Sequence, residues 1–207
     1  MSDVHCPARI VVARHGETEY ERPEMGVAGG SLSAVGRQEA RGLGERLRSE
    51  RVAGVVSSEL SRAVQTAEIA AGVLGLPVRV REGLQEFAVG DFRGRMFDPE
   101  FFHGVLGAWL KGDLEPGVPS GETGRQVVDR VMPVLDEVAD QFRGETLLVV
   151  THGGVILALF GLLGPGSPYA PAHEDDVPHA AAYVFERDAD GWRATANITA
   201  NRSTRAR

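Results

Sequence analysis

Arg14-His15-Gly16-Glu17-Thr18 sets an imidazole directly after a guanidinium, at the end of the apolar run Arg9-Ile10-Val11-Val12-Ala13. An unprotonated imidazole can attack phosphorus, while a neighbouring guanidinium offers paired donors to phosphate oxygens. The adjacent charge also disfavours imidazolium and so keeps the ring nucleophilic. Taken alone, an Arg-His-Gly tripeptide is more often a capping or surface histidine. Three further residues of complementary chemistry bear on that reading: Arg62, Glu86 and His152. Each has a bland alternative of its own, as a solvated helix residue, a surface carboxylate and a satisfied core histidine.

The elements that would position these groups follow from hydrophobic period and punctuation. Strand one covers about 9 to 13, Val52 to Val56 is a second buried strand ending at Ser57-Ser58, Pro77 to Val80 a third, and Thr146 to Val150 a fourth. A helix begins near Ser33 and runs to about Glu50 with Val35, Ala40, Leu43 and Leu47 as its stripe. Ser61 is placed to cap a helix through Ala71, which puts Arg62 in its first turn. Thr123 with Gln126 forms a capping-box signal for a helix ending near Gly144, with a kink expected at Pro133. Val155 to Leu163 reads as a buried helix, and Ala181 to Glu186 with Trp192 to Ile198 as an antiparallel hairpin turning at Asp188-Ala189-Asp190-Gly191. Residues 1 to 8 read as a loose leader, His15 to Ser31 as an irregular rim loop through Pro23, Gly26 and Gly29, and the Arg-rich end as frayed.

Alternating strands and helices predict a three-layer αβα sandwich with a mainly parallel central sheet. Arg14 and His15 then follow strand one, Arg62 strand two, Glu86 strand three and His152 strand four, all at the sheet edge where such folds bind ligands. That shared placement outweighs the bland reading of each residue. Between them, residues 88 to 120 read as a mostly helical insertion over the crevice. Phe87, Phe92, Phe97, Phe101, Phe102 and Trp109 crowd there and read as lid core rather than substrate contacts.

With 207 residues, 43% of them hydrophobic and 25% charged, the chain is expected to form a single domain over 1–207. Its 22 basic and 29 acidic residues leave a net charge of −7, which argues against nucleic-acid or anionic-membrane partners. Cys6 is the single cysteine and excludes an internal disulfide; a cytoplasmic location is the default, and a homodimer is left open. The apolar stretch Val155 to Leu163 is too short to span a bilayer. No GxxxxGK[ST] loop, HExxH or GxSxG is present. Asp188 to Gly191 superficially matches an acidic metal loop but reads better as a turn. His173-Glu174-Asp175-Asp176 with His179, flanked by Pro171 and Pro178, reads as a solvated loop rather than a metal site. No metal and no cofactor are expected, since two arginines already supply the positive charge a metal would bring.

Beyond single residues, RHGET at Arg14 to Thr18, SSELSRAVQTAEI at Ser57 to Ile69, LQEFAVGDFRG at Leu84 to Gly94, PSGET at Pro119 to Thr123 and VVTHGG at Val149 to Gly154 stand in order along the chain. Together they resemble the histidine phosphatase superfamily, in its phosphoglycerate mutase-like branch 1, over roughly residues 9 to 185. The resemblance implies that His15 becomes phosphorylated, that Arg14, Arg62 and His152 bind the phosphoryl group, and that Glu86 donates and accepts the proton. Thr18 and Gly153, within the same motifs, join the expected substrate-binding set. The activity implied is metal-independent hydrolysis of a small phosphorylated metabolite. A phosphoglycerate-type mutase and a non-catalytic phospholigand-binding protein are the alternatives.

One departure stands out. Members of the family commonly carry Asn six residues after the nucleophile, where this chain has Glu21. A carboxylate facing a phosphate dianion is repelled, so Glu21 is expected to turn outward or to meet a cationic substrate group. Segment 88 to 120 also has Arg93, Arg95 and Lys111 as its cations, offset by Asp91, Asp98, Glu100, Asp113, Glu115 and the nearby Glu122. Such a rim holds a doubly anionic substrate poorly and admits water, which favours a phosphatase over a mutase.

Overall fold

The first strand is apolar along its length and sends successive side chains to opposite faces, and the rest of the fold is built on both of them. The computed structural model describes residues 7–19, 25 and 30–199. Cys6, Glu21, Pro23, Gly26, Gly29, most of the expected leader and the Arg-rich end lie outside the described residues. In chain order the elements are β1 (Ala8–Arg14), β2 (Thr18–Glu19), β3 (Ser31–Leu32), α1 (Ala34–Leu47), β4 (Val52–Ser57), α2 (Ser61–Leu74), β5 (Val78–Val80), α3 (Pro99–Leu110), α4 (Gly124–Gln141), β6 (Thr146–Thr151), α5 (Gly153–Leu163), β7 (Ala182–Asp188) and β8 (Gly191–Asn197).

Six of these strands form one sheet in the order β5-β4-β6-β1-β7-β8. The β5, β4, β6 and β1 pairings are parallel, and β7 and β8 add an antiparallel edge. Ile10 and Val12 enter one core with Leu147, Val149, Val131, Leu135, Ile156 and Phe160, beneath α3, α4 and α5. Val11 and Ala13 enter the other with Leu148, Val150, Leu43, Leu47, Ala63 and Ala67, beneath α1 and α2. The three-layer arrangement with a mainly parallel sheet is therefore as the sequence implied. Burial on both faces explains why these strands read as continuous apolar runs.

Several local expectations are revised. The rim loop contains a two-stranded ribbon, Thr18 opposite Leu32 and Glu19 opposite Ser31. Ser61 is the first residue of α2 rather than its cap; Leu60 holds the cap position, and the Ser61 hydroxyl donates to the Gly30 carbonyl at 3.1 Å. Val35 is 50% exposed. Ala40, Leu43 and Leu47 are buried as expected, and Gly36 and Gly44 join them in place of Val35, at points where a Cβ would come within 3 Å of neighbouring backbone. α4 is one helix through Pro133, started by the expected Thr123 and Gln126 capping box. Segment 88 to 120 holds a three-residue 3-10 turn at Gly90–Phe92 and the twelve-residue α3, the remainder being turns, so it is less helical than expected. Its aromatics do pack on one another: Phe92 stacks on Phe101 at 4.5 Å, Phe87 meets Trp109 edge-on at 5.3 Å, and Phe102 and Trp109 are fully buried.

The glycines of α1 separate two effects that sequence alone confounds. A Cβ on Gly44 would lie 2.8 Å from the Ala70 carbonyl oxygen and 2.8 Å from the Val73 Cβ, both on α2. One on Gly42 would meet nothing nearer than the Arg46 side chain at 3.6 Å. Gly42→Ala should therefore stabilise the fold by about 0.5–1 kcal/mol through helix propensity. Gly44→Ala should destabilise it by about 1–3 kcal/mol through overpacking that outweighs the same gain. Urea midpoints of the two variants check this; equal shifts of either sign would contradict the close α1–α2 contact.

Candidate active site

β1 ends at Arg14, and its register carries His15 beyond the sheet, where its N–H donates to the Thr151 carbonyl of β6 at 3.0 Å. Gly16 follows because the chain turns there against the first turn of α1. A Cβ at Gly16 would sit 2.6 Å from the Gly36 carbonyl oxygen, and one at Gly36 would sit 2.0 Å from that of Glu17. The Gly16 N–H donates to Thr66 Oγ1 at 3.0 Å, and the Thr66 hydroxyl donates to the Arg62 carbonyl at 2.7 Å. One α2 side chain thus ties the nucleophile loop to the backbone of the second arginine.

His15 is only 4% exposed. Its Nδ1 lies 2.8 Å from the Gly16 carbonyl oxygen, and Arg62 Nε lies 3.2 Å from its Nε2. Guanidinium can only donate, so Nε2 must accept and the ring proton belongs on Nδ1, donated to Gly16. The result is a neutral imidazole whose Nε2 lone pair points at a cation. Burial first, then Arg62, Arg14 and His179 hold its pKa well below the ordinary value, against the opposing pull of the Gly16 carbonyl.

His152 follows β6, occupies the cap position of α5 and is fully buried, with its ring centroid 5.2 Å from that of His15. Its Nε2 lies 2.8 Å from Ser58 Oγ, while its Nδ1 is buried without a hydrogen-bond partner among the described residues. An unsatisfied buried polar atom is costly, and Nδ1 is one. Burial, then His15, Arg62, Arg130 and Arg14, hold this pKa down as well. Arg14 donates to the Val177 carbonyl at 2.5 Å and lies against Gly153, whose Cβ would be 3.5 Å from Arg14 Nε. Glu86 accepts from the Gly154 N–H at 3.2 Å and the Phe87 N–H at 3.1 Å, at the N-terminus of α5.

Arg14, His15, Arg62, Glu86, His152 and Gly153 are thus gathered at one edge of the sheet. Thr18 is half-buried in β2, and its side chain makes no hydrogen bond among the described residues. The expected role of Glu21 lies outside the described residues.

Of the segment read from sequence as a solvated loop, His173, Asp175 and Asp176 are exposed as expected, but the stretch from Val177 onward, with His179, lies against the site. Val177 and Ala180 are buried, the Ala180 N–H donates to the His15 carbonyl at 3.2 Å, and the Arg14 N–H donates to Ala181 at 2.9 Å. Ala180 adopts a left-handed φ of 52°, and Arg46 of α1 donates to its carbonyl at 2.8 Å. His179 on this strap stands 5.9 Å from His15, ring to ring. Burial, then Arg14, lowers its pKa against the opposing fields of Glu39 and Glu17. Ser58 and Thr66 were equally missed; both lie inside the quoted motif, but their hydroxyl partners are 94 and 50 residues away.

Residues 10–198 match the family model of the histidine phosphatase superfamily, branch 1. The chain belongs to that family. This histidine phosphatase is 36% identical to phosphoglycerate mutase-like protein 4 of Arabidopsis thaliana over 196 residues, covering 89% of this chain and 82% of the relative. It is 35% identical to a metal-independent phosphoserine phosphatase of the same plant over 162 residues, covering 73% and 66% respectively. Among solved structures it resembles a mycobacterial glucosyl-3-phosphoglycerate phosphatase in complex with VO3, with a TM-score of 0.70, 26% identity, and 90% and 96% of the two chains covered. A Bacillus anthracis phosphoglycerate mutase shares the fold at a TM-score of 0.77, 19% identity, and 95% and 96% coverage.

Two buried neutral histidines have a consequence for stability. Their folded pKa values lie below the unfolded value of about 6.5, so below that pH the unfolded chain binds more protons than the folded one. Stability should therefore be complete above about pH 6.5 and fall as the pH drops below it, each histidine contributing a slope of up to about 1.4 kcal/mol per pH unit. Urea unfolding of parent and His152→Asn between pH 7 and 5 should give the shallower slope for the variant. Identical slopes would mean that His152 titrates normally.

Proposed function

We propose that this chain hydrolyses a small phosphomonoester through a phosphohistidine on His15, and that Glu86 carries the proton. The observation that supports this most directly is the His15 tautomer, with Nδ1 occupied by Gly16 and the Nε2 lone pair facing Arg62. In the first step Nε2 attacks phosphorus, the N–P bond forms and the ester P–O bond breaks. Glu86, protonated beforehand, gives its proton to the leaving oxygen. In the second step Glu86 takes a proton from water as that water attacks phosphorus and the N–P bond breaks.

Arg14 and Arg62 hold the equatorial oxygens, joined by the Gly153 end of α5 with its positive dipole end. The arriving phosphoryl group takes over the Arg62 donor that Nε2 accepts in its absence. In this reading the Ser58 hydroxyl donates to Nε2 of His152, so that the proton of that ring sits on Nδ1 and joins the cradle. Thr18, further along the rim, contacts the organic part of the substrate in this reading. Two guanidiniums supply the charge a metal would otherwise bring, in keeping with the metal-independent phosphatase among the relatives.

The choice of hydrolysis over isomerisation rests on the rim. Asp91, Asp98, Glu100, Asp113 and Glu115 are exposed together with Arg93, Arg95 and Lys111, so this segment carries an excess of negative charge. Relatives named as phosphatases for phosphoserine and glucosyl-3-phosphoglycerate support a small phosphorylated metabolite as the substrate class. Among the described residues no helix is long and apolar enough to cross a membrane, and the single cysteine fits a reducing cytoplasm.

The enzyme should turn over p-nitrophenyl phosphate at an unchanged rate after dialysis against EDTA. Activity that returned only with a divalent cation would overturn the metal-free mechanism. Given 3-phosphoglycerate and a bisphosphorylated primer, it should release phosphate faster than it isomerises the substrate, and the reverse order would make it a mutase. Glu86→Gln should slow alkyl phosphates by roughly 10² to 10⁴ while sparing an aryl ester with a good leaving group. Equal losses on both would leave Glu86 a structural residue.

A further inference from the structure

Glu86 lies in a short connection between β5 and the aromatic segment, and two side chains from elsewhere grip that connection at both ends. Arg130, on α4, donates through NH1 to the Gly83 carbonyl at 2.8 Å. Its Nε and NH2 donate to the two carboxylate oxygens of Glu122 at 2.7 and 3.0 Å. Glu122 then accepts the Ala88 N–H at 2.8 Å, and its own N–H donates to the Ala88 carbonyl at 3.1 Å. One bidentate ion pair therefore holds the backbone three residues before Glu86 and two residues after it.

This pair differs from an ordinary surface ion pair. Its side chains are 19% and 20% exposed, and the fork geometry fixes direction as well as distance. Burial alone would raise the Glu122 carboxyl, but the hydrogen bonds from Arg130 and Ala88 bring it below its ordinary value, so the pair stays charged. Read from sequence as part of the acidic rim, Glu122 instead turns inward. Between the two anchor points, the Leu84 carbonyl accepts from the Thr151 hydroxyl at 2.7 Å, and the Glu86 carboxylate accepts from the Gly154 N–H at 3.2 Å.

We propose that Glu122 and Arg130 are positioning residues for Glu86, fixing the Gly83–Ala88 connection so that its carboxyl meets the oxygen leaving phosphorus. The proposal rests on the reading of Glu86 as the proton carrier. A donor displaced by about 1 Å can lose up to two orders of magnitude in rate, and only where the leaving group needs the proton.

The test compares kcat/KM for an alkyl phosphate and for p-nitrophenyl phosphate on the same preparation, so that any loss of folded enzyme cancels in the ratio. Glu122→Gln and Arg130→Lys should each lower the alkyl-to-aryl ratio by roughly 10-fold or more while p-nitrophenyl phosphate turnover changes little. The double variant Glu86→Gln/Glu122→Gln should show the same ratio as Glu86→Gln alone, because the effect passes through Glu86. Should Glu122→Gln not accumulate as folded protein, Arg130→Lys, which retains the charge but not the fork, decides. A parental ratio in the Glu122 and Arg130 variants, with a collapsed ratio in Glu86→Gln, would overturn the positioning role and leave the proton-carrier reading intact. A parental ratio in Glu86→Gln itself would overturn both.

Discussion

A single hydrogen bond, from Nδ1 of His15 to the carbonyl of its own neighbour Gly16, decides what the rest of the site can do. It consumes the one proton of a neutral ring and leaves the opposite nitrogen as a lone pair. Burial and two guanidiniums keep a second proton off. Without that bond the ring could present an N–H to Arg62, two donors would face each other, and the geometry at 3.2 Å would be repulsive. The glycines on either side of the bond serve it, because Gly16 and Gly36 allow the nucleophile loop and α1 to approach within distances that any side chain would block.

Around this imidazole the fold places charge at a controlled cost. Arg14, Arg62 and the half-buried His179 are brought close to a ring that must remain uncharged, and the same field acts on His152. Such an arrangement is unfavourable in isolation and becomes favourable once a phosphoryl group supplies the missing negative charge. The strap from Val177 to Ala181 is tied to the same cluster. Its carbonyls take up donors from Arg14 and Arg46, and Ala180 holds a left-handed φ of 52°, uncommon for a residue with a Cβ.

How much of this was legible in the sequence depended on whether a residue's placement was fixed locally. The five chemical groups at the strand exits could be found because continuous apolar runs mark doubly buried strands, and a parallel sheet sends their ends to one edge. His179 could not: prolines and acidic residues around it carry the pattern of a solvated loop, and it is placed by the backbone bonds that its neighbours Ala180 and Ala181 make to His15 and Arg14. Ser61 has a capping residue's chemistry, yet the backbone turns one position earlier at Leu60. Val35 fits a helical stripe by period, but α1 presents its small residues to α2 and to the nucleophile loop, so the stripe is rotated toward Gly36 and Gly44. Glu122 looked like rim charge because its partner Arg130 lies a further two helical turns along the chain.

The most direct measurement is the position of phosphorus on the trapped intermediate. Rapid quench with phosphomonoester substrate, followed by ³¹P–¹⁵N correlation on ring-labelled protein, should find an acid-labile, base-stable adduct bonded to Nε2 of His15 and absent from His15→Ala. Phosphorus on Nδ1, or steady turnover by the parent enzyme with no adduct at all, would contradict the central claim.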